Sequence, residues 1–154
     1  SGTITIQGKI VSDQDHMVAP EKRNVGLVVQ NKALFPHLTV EKNIRFGIRK
    51  NQEKTKIIAD LLSLFKIEHL SNKYPHEISG GEQQRTAIAR SMAPGPELLM
   101  LDEPFSALDR ELKEELYAEL NHIFNERQQT IVLVTHDLDE AKVLSDKQIN
   151  LENT

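Results

Sequence analysis

Two carboxylates, one histidine and a pair of glycines carry most of the chemistry open to this chain. Asp102 and Glu103 close the apolar run Leu98-Leu99-Met100-Leu101. Such a run reads as a strand, and its carboxyl end would present both acids in one place. There Asp102 could hold Mg²⁺, directly or through water. Glu103, one residue on, points elsewhere and could take a proton from an attacking water. Paired acids at a strand end are also what an ordinary solvated turn contains. Ser79-Gly80-Gly81-Glu82 precedes a helical pattern with Ile88, Ala89 and Met92 on its apolar face. Ser79 and Glu82 have the spacing of a capping box, each side chain bonding the other's backbone amide. The two glycines also leave amides bare, so a phosphate could reach the positive end of the helix. Both readings can hold at once, the cap preorganising the anion site. His136 follows another apolar run, residues 131–134, where a histidine is ordinarily a surface group.

These residues need elements to position them. Thr3-Ile4-Thr5-Ile6 alternates with the period of a half-buried strand, and Gly8 is expected to begin a polar loop. Residues 25–29, 98–101 and 131–134 are continuous apolar runs, the pattern of strands buried on both faces. Ile57, Ile58, Leu61, Leu62 and Phe65 recur at helical spacing, as do Leu112, Leu116, Leu120 and Phe124. Strands alternating with helices predict an α/β fold with a mostly parallel sheet. The stretch 38–92 holds no strand candidate and reads as an all-helical insert, with Tyr74-Pro75-His76 breaking it before its last helix. The expected division is therefore a sheet core from residues 1–37 and 93–154, and a helical subdomain over 38–92.

Composition narrows the function. A chain of 154 residues, 38% apolar and 27% charged, fits one ordinary globular domain. A net charge of −4 does not argue for a nucleic-acid partner, and a local basic patch stays open. No apolar run approaches the roughly 20 residues of a membrane span, and no charged-then-apolar signal segment opens the sequence. With no cysteine, disulfides and thiol catalysis are excluded, and the scattered histidines argue against a structural zinc site.

Four stretches stand in a fixed order: Ile78-Ser79-Gly80-Gly81-Glu82-Gln83-Gln84-Arg85, Leu98-Leu99-Met100-Leu101-Asp102-Glu103-Pro104, Ser106-Ala107-Leu108-Asp109, and Thr135-His136-Asp137. Together they resemble the ATP-binding subunits of ABC transporters, over essentially the whole chain. The resemblance implies a P-loop NTPase-type α/β fold with ATP as substrate and Mg²⁺ as cofactor. It makes Ser79, Gly80, Gly81 and Glu82 the signature that contacts nucleotide, although the usual signature carries Gln where this chain has Glu82. It makes Asp102 the metal-holding Walker B aspartate and Glu103 the catalytic base. Asp109 becomes the acid of the loop that touches the partner subunit, and His136 the switch histidine that bonds the γ-phosphate.

Gln30, with Asn31-Lys32-Ala33-Leu34-Phe35-Pro36-His37-Leu38-Thr39-Val40, resembles the flexible loop of importer subunits, where the glutamine contacts Mg²⁺ or water. The same resemblance places a membrane permease against residues 30–48. For Leu34, Phe35 and Leu38, simple core and docking groove both stand open. The implied partners are a permease and a second ATP-binding subunit, packed head to tail at the cytoplasmic face of the membrane. The implied function is powering solute import, with ferric or another inorganic ion favoured. The alternatives are an ATPase of DNA repair or chromosome maintenance, and a non-enzymatic interaction piece. Structural-maintenance ATPases place a long coiled coil before the signature, whereas 48 residues (31–78) separate Gln30 from Ser79 here.

One expected part is missing. A phosphate loop requires Gly-x-x-x-x-Gly-Lys-Ser/Thr, but the one Gly-Lys pair, Gly8-Lys9, has Thr3 at the first glycine position and Ile10 at the hydroxyl position. In the family that loop precedes a Ser-Gly-x-Ile stretch resembling Ser1-Gly2-Thr3-Ile4. The expectation is therefore an incomplete P-loop-type sheet from the middle of a longer subunit. Such a piece, isolated, should bind ATP weakly and hydrolyse none.

Overall fold

The computed structural model describes residues 2–30, 33–48, 53–106 and 108–151. Ser1, Asn31, Lys32 and Ala107, which figure in the motifs above, lie outside the described residues. The chain opens with an antiparallel hairpin of β1 (Ile4–Ile6) and β2 (Lys9–Ser12). The polar loop expected at Gly8 is instead a tight turn: Gln7 and Gly8 both take left-handed backbone, at φ 49° and 75°. Two consecutive positive φ values suit the right-handed twist of a hairpin. The lone Gly-Lys pair is thus a turn and the start of a strand.

The next elements are β3 (Val25–Val28), α1 (Val40–Gly47), α2 (Lys54–Leu64) and α3 (Gly80–Met92). They are followed by β4 (Leu98–Asp102), α4 (Arg110–Glu126), β5 (Ile131–Val134) and α5 (Leu138–Leu144). Strands β3, β4 and β5 form a parallel sheet with β4 in the middle. Val28 lies opposite Leu101, and Asp102 opposite Val134, so the carboxyl ends of all three strands finish at one edge.

The expected burial of these strands on both faces is corrected by the structure. Gly26, Val28, Leu99 and Leu101 are buried, but Leu27, Met100, Val132 and Val134 are 53, 38, 44 and 52% exposed. Among the described residues the helices cover one face only. A continuous apolar run cannot report this, because every position would suit a buried face.

Between β3 and β4 the described residues contain helices and two short 3₁₀ turns, Glu68–Leu70 and Pro75–Glu77, and no strand. Tyr74 is extended, as the residue before Pro75 prefers. One contiguous core runs from Ile44, Phe65 and Ile88 through Leu99, Leu101 and Phe105 to Leu116 and Leu120. Glu119 on α4 pairs with Lys66 at 2.8 Å and with Arg85 of α3, clamping the helical stretch to α4. No helix among the described residues is long and apolar enough to cross a membrane.

Candidate functional site

The carboxyl ends of β4 and β5 bring two of the expected residues into contact. His136 Nδ1 lies 2.8 Å from Glu103 Oε1, and the His136 amide donates to the same oxygen at 3.1 Å. An ionised carboxylate only accepts, so Nδ1 carries the proton and Nε2 is left for another partner. The hydrogen bond to Glu103 raises the imidazole's pKa above the ordinary histidine value. Glu103 itself takes left-handed backbone at φ 45°, unusual for a residue with a side chain. Its amide still donates to Val134 across the sheet, at 2.9 Å, and its carbonyl accepts from the Ser106 hydroxyl at 3.1 Å. Such strain persists only where the surroundings over-determine it, and it concentrates at functional sites.

Asp102 ends β4 with an exposed side chain, and Gln30 sits exposed in the turn beyond β3. Among the described residues no hydrogen bond or ion pair engages either side chain, and no group of three or more metal-ligating side chains forms. One free carboxylate at an open strand end nevertheless suits Mg²⁺, which keeps several waters and takes one or two protein ligands besides phosphate oxygens. The residues fit that ion only as a partner to a bound polyphosphate.

The expected capping box is present. Ser79 Oγ accepts from the Glu82 amide at 3.3 Å, and the Ser79 amide donates to Glu82 Oε2 at 2.7 Å. That donation holds the Glu82 carboxyl below the usual carboxylate range. Glu82 therefore does what a glutamine carbonyl could do in the cap, while placing a charge beside the bare amides. Ser79 is exposed and Gly81 buried; a Cβ on Gly81 would meet Leu112 Cδ2 at 2.9 Å. Asp109 caps α4, accepting from the Leu112 amide at 3.0 Å. The Leu112 side chain thus packs the first turn of α4 against the first turn of α3 at Gly81. Ser79→Ala is expected to lower stability by about 1 kcal/mol, read from the urea midpoint. An unchanged midpoint would show that the cap contributes nothing.

The loop after Gln30 is built around buried Asn43, whose side-chain amide donates to the carbonyls of Phe35, Leu38 and Thr39 and whose oxygen accepts from the Phe35 amide. Leu34, Phe35 and Leu38 are half-buried, and the Phe35 ring meets that of Phe46, which is 68% exposed, with centroids 4.6 Å apart and planes tilted by 58°. An apolar surface therefore remains beside this loop.

Sequence reasoning missed a second layer behind His136. Glu140 is buried and receives hydrogen bonds from Tyr117, Lys113 and Thr135. The available signal was a carboxylate four residues before Leu144, on the same inward face of α5.

A family model described as ABC transporter matches residues 1–106. The sulfate/thiosulfate import ATP-binding protein CysA of Synechocystis is 46% identical over 156 residues, covering 99% of this chain and 43% of that protein. The Fe(3+) ions import ATP-binding protein FbpC of Haemophilus influenzae is 38% identical over 151 residues, covering 96% of this chain and 43% of that protein. Among solved structures, the dimeric post-hydrolysis state of the ATP-binding cassette MJ0796, bound to ADP and Pi, aligns at a TM-score of 0.71 with 30% identity. That alignment covers 93% of this chain and 66% of the other. The chain spans about two fifths of the length of the curated relatives it matches.

Proposed function

The chain belongs to the ABC transporter family, and from that premise we propose that it supplies the signature and carboxylate half of an ATPase site that powers import across a membrane. The observation that carries this reading is the Glu103–His136 pair at the carboxyl ends of a parallel sheet, where open α/β sheets receive ligands. In the proposed reaction water attacks the γ-phosphorus of ATP, the bond to the ADP oxygen breaks, and the water proton passes to Glu103. Glu103 Oε1 is held by His136, which leaves Oε2 for that water. The Nε2 side of His136 faces the γ-phosphate, and its raised pKa favours the protonated ring that an anion would select. Mg²⁺, held by Asp102 with Gln30 contributing directly or through water, would neutralise charge on the phosphate oxygens.

Assembly follows the same reading. Ser79, Gly80, Gly81 and Glu82, together with Asp109, close on nucleotide held by a second ATP-binding subunit in a head-to-tail dimer. The relatives' names support import, and the apolar surface at Phe35 and Phe46 supports a permease seated on residues 30–48 at the cytoplasmic face of the membrane. Residues 38–92 then form the signature subdomain on a sheet core of 1–37 and 93–154. Relatives of comparable identity are named for sulfate/thiosulfate, Fe(3+) and spermidine/putrescine import, so their names carry import itself, and a ferric or other inorganic ion as solute is part of the proposal.

The 154 residues contain no Gly-x-x-x-x-Gly-Lys-Ser/Thr, and so lack the amides and lysine that grip the phosphates. Titrating the chain alone with Mg-ATP is therefore expected to show no micromolar binding. A chimera in which a relative's phosphate-loop segment precedes these residues is expected to hydrolyse ATP. Micromolar affinity in the isolated chain, or a folded nucleotide-binding chimera without turnover, would sink the proposal.

A further inference from the structure

We propose that Glu140 is a positioning residue for His136, and that Tyr117 is the strut setting it in register with the loop carrying Glu103. The inference rests on the reading of Glu103 and His136 as a working pair. Glu140 is 1% exposed, and among the described residues its carboxylate accepts from Thr135, Lys113 and Tyr117. Its Oε2 accepts from the Thr135 hydroxyl at 2.5 Å, immediately before His136. Thr135 Oγ1 in turn accepts from the Asp137 amide at 3.0 Å, immediately after it. Asp137 is anchored again through Oδ2 to Lys113 at 3.4 Å, and its Oδ1 accepts from the amides of Asp139 and Glu140. Burial opposes charge on Asp137, but those amides and Lys113 hold its carboxyl below the usual range. Both neighbours of His136 are therefore fixed, and the histidine stands at the tip of a braced turn.

The brace also reaches the acid. Glu140 Oε1 accepts from Lys113 at 3.3 Å and from the Tyr117 hydroxyl at 2.8 Å. The Tyr117 ring meets Phe105 edge-on, with centroids 5.0 Å apart, and Phe105 is fully buried two residues beyond Glu103. Burial and the bond to Glu140 push the Tyr117 hydroxyl pKa up, so it stays a donor. One helix, α4, thus touches the acid loop through the Tyr117 ring and reaches the histidine turn indirectly, through the Tyr117 hydroxyl, Glu140 and Thr135. A buried carboxylate is costly unless paired and hydrogen-bonded, so all of its partners must be in place together.

The test needs no nucleotide. In the chain itself, hydrogen exchange and ¹⁵N spectra of His136 report whether its amide and Nδ1 still meet Glu103. Tyr117→Phe removes one hydroxyl and keeps the ring on Phe105. It is expected to speed exchange of the His136 and Asp137 amides about tenfold while β4 and α4 interior amides hold. Glu140→Ala should do the same more strongly, and Glu140→Gln should restore part of the protection. Unchanged exchange at His136 in Tyr117→Phe overturns the proposal, as does uniform acceleration across the chain. Should Glu140→Ala unfold, Tyr117→Phe decides alone. In an active chimera the same variant should lower kcat roughly 10- to 100-fold with little change in KM. Loss of His136 protection in a chimera whose turnover ignores Glu103 would separate a correct brace from an incorrect reading of the pair.

Discussion

Glu103→Gln, in a chimera that supplies the phosphate loop, is expected to cut ATP turnover by about 10²–10⁴-fold while leaving Mg-ATP binding nearly intact. The substitution keeps the size of the side chain and an oxygen for the His136 amide, but removes the group that takes the water proton. Its left-handed backbone, held by Val134 and Ser106, makes the position a defined one rather than a mobile acid. His136→Ala should reduce turnover as well, because Glu103 Oε1 then loses both the ring and, through a freer turn, the amide. Single-turnover kinetics with bound-nucleotide measurements check the split between chemistry and binding. Retention of near-normal turnover in Glu103→Gln would remove Glu103 from the chemistry, however well it binds His136.

Gly47→Ala and Gly26→Ala should each destabilise the chain by about 1–3 kcal/mol. A Cβ on Gly47 would stand 2.4 Å from the Arg90 carbonyl oxygen, and one on Gly26 would stand 2.6 Å from that of Ser91. Both obstacles are backbone atoms of the last turn of α3, which cannot swing aside as a long side chain can. The same turn bonds Leu27 O through the Ser91 hydroxyl at 2.9 Å and Ala33 O through Arg90 at 2.7 Å. The helix that begins at Ser79 therefore ends locked to β3 and to the loop beyond Gln30. Added bulk there is expected to shift that whole lever. Gly2→Ala, where a Cβ meets nothing within 4 Å, is the matched control. Urea midpoints that coincide for Gly47→Ala and Gly2→Ala would refute the close-packing account.

How much could be read beforehand differed from element to element. The capping box at Ser79 and Glu82 was legible because capping is local, a matter of residue types three positions apart. The helices through Leu61 and Leu116 were legible because a 3.6-residue period survives without knowledge of the partner surface. The apolar runs at residues 25–29, 98–101 and 131–134 located strands correctly and misjudged their surroundings. Exposure of Leu27 and Val134 depends on what covers a sheet face, and strand sequence carries no record of that. Gly8 was misread because a polar stretch looks alike as loop or hairpin until two left-handed residues meet at a turn.

Amino-acid order by itself determined the α/β alternation, the cap at Ser79, the family and the absence of a phosphate-loop motif. All of these rest on residue type and short spacing. Only the folded chain decided which residues share a site. Glu103 and His136 are 33 positions apart and meet at 2.8 Å because β4 and β5 are parallel neighbours ending at one edge. Glu140 and Tyr117 meet at 2.8 Å across 23 positions because α5 lies along α4. Contacts of that range depend on strand order and helix packing, which arise from the sum of the core and not from any motif within it.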